Sequence, residues 1–594
     1  MNFSLSLSFN IREIIYGFLI FPEIKSLLFL NWKLFQEVLI YLREKHLKIK
    51  QNDIFRFDRS TLFTFFQKFP NITQLQLNCQ RIDVLYIIPA LSKNLKSLKL
   101  VDVNLSDLTT NLFWELLSNG CNALEFFSIS EGYNDYHFNN IRDKQYDNIV
   151  NLKDFFNCHQ ALKKFSLKFN KHHEKTSFSL TSANFFESAL QALAIVQNNV
   201  EILIFHNIRI PASFLPVGNL FSKMTCPKVK ELKVKSQISF KEPHLGINRE
   251  SLGFLYEVFP NLEKIHFFDC FPPNLNLNNA FQNLTSSCLN NQTKSPPTTI
   301  KRFYLNCYGS PIEIDEILMM NLLSNCSDLI SFGCASNKSM SNGIVQELVF
   351  RNPNLLELNF DYTNFDDLAC SILASSNIMN NLTKISLQFC KRITHEGFAT
   401  LLEGCKSLKS FNVKGNKNFK NKTVDFLLQS GEIEELYLHE NRIKNSSLQK
   451  IAKRFQKTLK IIEISKLEGY EKFTNSVFKE LFDEKFKLSR VKHLDMAFNH
   501  IIDFSSLKVL CFVFPNLEVF NVKCCGHFNL ECFDHIVNSN WMFTLEKLNI
   551  KYCNLFPDQI ETIIKKLNHF KRLVYIYTED CTKDIFNERF IFTP

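Results

Sequence analysis

Apolar side chains recur along this chain in one short formula: apolar, two residues, apolar, one residue, apolar, then often Cys or Asn three positions on. LTKISLQFC (Leu382 to Cys390), LKSFNVKGN (Leu408 to Asn416) and IEELYLHEN (Ile433 to Asn441) show it plainly. VKHLDMAFN, LEVFNVKCC and LEKLNIKYC follow, starting at Val491, Leu517 and Leu545. Looser copies begin at Leu95, Leu162, Val229, Leu262 and Leu355. The starts at Leu355, Leu382, Leu408, Ile433 and Leu459 lie 27, 26, 25 and 26 residues apart. Counted from Ile72 to Leu573, the period gives about eighteen units.

Within one unit the alternation predicts a short strand, with the apolar residues on one face and the intervening residues on the other. The stretch after Cys390 carries Phe398, Leu401 and Leu402 at helical spacing, so a helix returns the chain. The Cys or Asn that ends the strand marks an inward turn. A small polar side chain there can bond backbone groups of a neighbouring coil. Cys390 and Cys405 could be read as a metal or disulfide pair, but their positions recur. Cys405, Cys326, Cys226 and Cys121 each stand three residues before a strand pattern. Elsewhere that approach reads F-P-N-L, as in Phe259 to Leu262 and Phe514 to Leu517. Recurrence at two fixed places makes both cysteines packing elements.

Cys390, Ile393, Thr394, Gly397, Phe398, Leu401, Cys405 and Leu408 together resemble the cysteine-containing leucine-rich repeat, typical of F-box proteins and of repeat proteins similar to ribonuclease inhibitor. The resemblance implies an α/β solenoid, with a curved parallel sheet inside and helices outside, over residues 51–594. Two polar, Asn-rich insertions, near 131–150 and 271–299, read as surface loops.

Residues 1–50 differ. Ile11, Ile14, Ile15, Phe18 and Leu19 keep helical spacing, Pro22 breaks the run, and Ile24, Leu27, Leu28 and Leu30 begin another before Trp32. Glu13-Ile14, Pro22-Glu23-Ile24 and the run Leu27, Leu28, Leu30, Asn31, Trp32 resemble an F-box. That likeness implies binding to a Skp-type adaptor, and through it to a cullin, by Ile11, Ile14, Pro22, Ile24, Leu27, Leu28, Leu30 and Trp32. The other reading of the same apolar pattern is a helical cap on the array.

Composition narrows the function. Apolar residues make 45% and charged residues 22%, a globular balance, and the 61 Phe mean that Phe fills many positions where Leu is usual. The 18 Cys include no C-x-x-C pair, so free thiols in an intracellular, cytoplasmic or nuclear setting are expected, and no metal. Ile14 to Phe21 is too short for a membrane span. The net charge of +10 is spread without a basic block, which argues against nucleic acid. No phosphate loop, nucleophile elbow or metalloprotease motif occurs, so the chain is expected to be no enzyme and to need no cofactor. His172-His173 read as a solvated loop, and Asp366-Asp367 as the start of a helix.

What remains is a binding face. The intervening strand residues and the one just beyond place Glu435, Tyr437, His439, His493, Asp495, Asn521, Lys523, Lys547, Asn549 and Lys551 on the open side of the sheet. Tyr437 is the leading contact candidate, since aromatics concentrate at binding hot spots. Lys523, Lys547 and Lys551 make that end basic, suiting an acidic or phosphorylated protein substrate. The leading expectation is a substrate-recognition adaptor of a cullin-based (SCF-type) ubiquitin ligase. A protein-binding scaffold or inhibitor is the alternative, and a small-GTPase regulator a third.

Overall fold

The computed structural model describes residues 74–78, 93–103, 111–131, 152–168, 199–206, 225–235, 259–268, 300–308, 326–466, 487–499 and 502–577, apart from Asn554, Val574 and some unassigned side chains, together with isolated positions between these spans. The stretch that resembles an F-box, with the eight residues expected to bind an adaptor, most of both insertions, and His172-His173 lie outside the described residues. The chain divides into two compact units, Met1–Ile265 and His266–Pro594.

In the first unit, six parallel strands pair in sequence order: β1 (Gln74–Asn78), β2 (Ser97–Val103), β3 (Phe126–Glu131), β4 (Lys164–Lys168), β5 (Ile202–His206) and β6 (Glu231–Lys235). β7 (Lys264–Phe268) begins in this unit and ends in the second. In the second unit a parallel ladder joins β8 (Arg302–Asn306), β9 (Ser331–Gly333), β10 (Glu357–Asn359), β11 (Lys384–Ser386), β12 (Ser410–Asn412) and β13 (Glu435–Tyr437). It ends with β14 (Ile461–Glu463), β15 (His493–Asp495), β16 (Val519–Asn521), β17 (Lys547–Asn549) and β18 (Tyr575–Tyr577). Every pairing described in the two units is parallel and joins one coil to the next. This is the architecture of a leucine-rich-repeat solenoid.

The apolar formula explains the core. Leu382, Ile385, Leu387 and Cys390 are all buried, and so are Leu408, Phe411, Val413 and Asn416 one coil later. Cys121, Cys226, Cys326 and Cys405, on the approach to their strands, are buried thiols, none of them in a disulfide. In the first unit Phe takes the Leu positions: Trp114 meets Phe127 and Phe155 edge-on, and Phe127 stacks on Phe165. Burying each such side chain stabilises by about 1.5–3 kcal/mol.

The helices are set by caps that the sequence carries. Thr394 opens His395–Gly404 by accepting from the Glu396 N–H, and Asp366 opens Asp367–Ala374 by accepting from Ala369. The carboxylate of Asp367 then accepts from both the backbone N–H and the hydroxyl of Thr394, at 2.7 Å each, tying one coil's helix to the next. Gly397 is required there, because a Cβ would stand 2.0 Å from Asp367 Oδ1. No helix among the described residues is long and apolar enough to cross a membrane.

Two ladders run beyond the strands. Asn416 Nδ2 donates to the Leu387 carbonyl at 2.7 Å, Asn441 Nδ2 to Val413 at 2.9 Å and Asn499 Nδ2 to Ile464 at 3.0 Å. At the same place, Cys390 Sγ donates to Phe360 at 2.9 Å and Cys553 Sγ to Val522 at 3.0 Å. Cys and Asn are interchangeable here because each can donate to the carbonyl one coil back. The residue just before takes a left-handed conformation in coil after coil: Tyr362, Phe389, Gly415, Glu440, Lys466, Phe498, Cys524 and Tyr552 have φ between 47° and 70°. Such a conformation is costly for side chains other than Gly. In return, the Phe389, Gly415, Glu440 and Phe498 N–H groups reach the Lys414, His439, Ser465 and Lys523 carbonyls of the following coils.

Candidate binding face

Parallel register sorts the open face of the second unit into columns. Glu435, Ile461, His493, Val519 and Lys547 stand side by side, as do Tyr437, Glu463, Asp495, Asn521 and Asn549. His439, Lys523 and Lys551 occupy the next place along their coils. All ten residues named from the sequence therefore fall on one face.

Their environments differ from those of an open row of contacts. Tyr437 is half-buried, and Lys414 from β12's coil lies across its ring, 5.1 Å from the centroid, to pair with Glu463 of β14. Burial, then Glu435 and Glu463, push the Tyr437 hydroxyl well above its usual range. Asp495 accepts from Asn521 Nδ2 at 2.8 Å and from its own chain at Ala497 at 2.9 Å. His493 sits between Glu463 and Asp495; burial pushes its imidazole down, outweighing the two carboxylates. Lys523 lies between Phe498 and Tyr552, 5.6 and 5.2 Å from the ring centroids. Lys547 is exposed and Asn549 and Lys551 are half-exposed.

Lys414 and Glu463 were absent from the sequence-derived set. Glu463 was within reach of pattern reading, since Leu459, Ile462 and Ile464 frame it as Leu436 and Leu438 frame Tyr437. Lys414 was within reach as well, since it stands just beyond β12 as His439, Lys523 and Lys551 stand beyond their strands; its reach over two coils follows from side-chain length.

The cluster's chemistry is that of a polar network. Ligand-type atoms of Glu463, His493 and Asp495 lie within 4.8 Å of one another, the number of protein ligands a catalytic-type zinc uses. The Lys414 ammonium already neutralises Glu463, and both Asp495 oxygens accept hydrogen bonds. The set therefore fits an ion-pair network better than a cation. His439 Nδ1 is 2.6 Å from Ser465 Oγ, but that serine is only 4% exposed, so the pair links coils instead of presenting a nucleophile.

Further along, Glu357 gathers Tyr304 at 2.7 Å, Ser331 at 2.9 Å and Arg302 at 3.3 Å. Buried Asp361 accepts from the Gln388 N–H at 2.7 Å and from the Ser386 hydroxyl, and burial pushes its carboxyl up against those bonds.

No protein-family model matches the chain, and no curated protein matches it in sequence. Among solved structures, the crystal structure of the Rad7 and Elc1 complex in yeast contains a chain of 16% identity and TM-score 0.41. The match covers 60% of this chain and 84% of that one. A likeness so loose carries no inference about function.

Proposed function

We propose that the chain is a substrate receptor of a cullin-based ubiquitin ligase. Residues 1–50 bind a Skp-type adaptor, and the sheet face holds a protein substrate. The observation that carries this reading is positional: the F-box-like run from Glu13 to Trp32 stands directly ahead of a solenoid whose corners use cysteine as the cysteine-type repeat does. The chain performs no chemistry itself. Holding a substrate lysine near the charged ubiquitin carrier raises its effective concentration, and that proximity is the contribution. The half-buried network of Lys414, Tyr437, Glu463, His493 and Asp495 suits recognition, being fixed before a partner arrives.

The test is a pull-down of purified Skp-type adaptor by the full chain and by Pro22→Ala/Leu27→Asp/Trp32→Ala. Retention by the wild type and loss in a variant with unchanged circular dichroism is the expected result. A folded wild type that retains no adaptor would leave a protein-binding scaffold as the function.

A further inference from the structure

The first unit carries a charge pattern that the linear sequence hides. Its described open-face side chains include Lys99 on β2, Lys164 and Lys168 on β4, Lys233 and Lys235 on β6, and Lys264 on β7. Glu231 is the one carboxylate described among them, and it is already held by Lys233 at 2.7 Å and Lys264 at 3.4 Å. Among the described residues no carboxylate pairs with Lys99, Lys164, Lys168 or Lys235. Register aligns Lys168 with His206 and Lys235 in one row, and Ser166 with Ile204 and Lys233 in the next. Burial and then Lys168, Lys235 and Lys233 push the His206 imidazole down, so the ring stays neutral near pH 7.

The middle strand adds a second feature. β5 turns Leu203 and Phe205 into the core, yet its open face carries Ile202 and Ile204, both half-exposed, and Phe126 on β3 is 42% exposed. Register sets Ile202 between Lys164 and Glu231 and Ile204 between Ser166 and Lys233, apolar side chains unlike the polar face of a strand that meets only water.

We infer that this face of β3 to β6 binds an extended, Asp- and Glu-bearing segment of a protein partner, with apolar side chains between the acids lying on Ile202, Ile204 and Phe126. Deepening the proposed function, this rests on the chain's being a receptor for protein. Lysines favour a carboxylate-rich segment over one phosphate, because each is a separate point charge and no guanidinium fork stands among the described residues of the patch. Strands two apart are separated by about 9.6 Å, and alternate side chains of an extended peptide by about 6.8 Å, a mismatch that flexible lysine stems absorb.

The experiment is fluorescence polarisation of the full chain with a labelled twelve-residue peptide alternating Glu with Ile and Val. The arms are the Gln-for-Glu version of the peptide and a single-stranded RNA of twelve nucleotides. Saturable binding of the acidic peptide is expected, weakened about tenfold or more by Lys168→Glu/Lys235→Glu and by half that charge change in Lys168→Gln/Lys235→Gln to a lesser degree. Lys453→Glu/Lys457→Glu, exposed on and just past the helix Asn445–Arg454 of the second unit, should leave it within about twofold. No saturable binding, equal binding of the Gln peptide, indifference to the Lys168 and Lys235 variants, or tighter binding of the RNA would each overturn the inference. Because no adaptor is present, failure here leaves the adaptor pull-down standing, and the converse holds.

Discussion

At the scale of single residues, cysteine is the most informative type in this chain. Cys390 and Cys405 are fully buried, and burial pushes each thiol up to about 12 from an ordinary 9.0. A folded state that holds these protons more tightly than the unfolded one gains stability from them below pH 9, and loses it as pH climbs from 9 toward 12. The urea midpoint should therefore fall across that window, and fall less steeply in Cys390→Ala/Cys405→Ala; equal slopes would reject the linkage. Their packing role was legible because the same residue recurs at the same place in other coils. The Lys414 to Glu463 bridge was not, since no periodicity records how far a lysine stem reaches across Tyr437.

At the scale of the coil, strand, corner and helix were written in the spacing: Leu382, Ile385 and Leu387 for the strand, Cys390 for the corner, Phe398 and Leu401 for the helix's inner face. The left-handed residue before the Cys or Asn was not, because Tyr, Phe, Glu and Lys occupy it as freely as Gly. Gly415 is distinct among them. Its φ is 70°, and a Cβ would meet the Phe389 ring at 2.2 Å. Gly415→Ala should cost about 1–3 kcal/mol in urea unfolding, whereas Cys524→Ala at the equivalent corner should stay within about 0.5 kcal/mol. Similar losses at both corners would mean that the contact with Phe389 yields without cost.

At the scale of the molecule, each described backbone bond between coils joins neighbours, so damage should stay local. Asn441 donates to the Val413 and Asn416 carbonyls, at 2.9 and 2.8 Å. Asn441→Ala should cost about 1–3 kcal/mol and speed hydrogen exchange in β12 to β14 while sparing β16 and β17. Uniform acceleration across the second unit would show that it unfolds as one block. The repeat architecture was legible throughout, but the lysine row was not: Lys168, His206 and Lys235 are 38 and 29 residues apart, and only register makes them adjacent. That separation has a further consequence. A parallel crossover accepts whatever length of chain returns it to the next strand, so residues can be inserted or lost between strands without moving any side chain from its row. The face is addressed by coil number and not by distance along the chain. Evolution, or an engineer, can rewrite what one coil displays, or lengthen the path to the next, and leave every other letter of the displayed text in place.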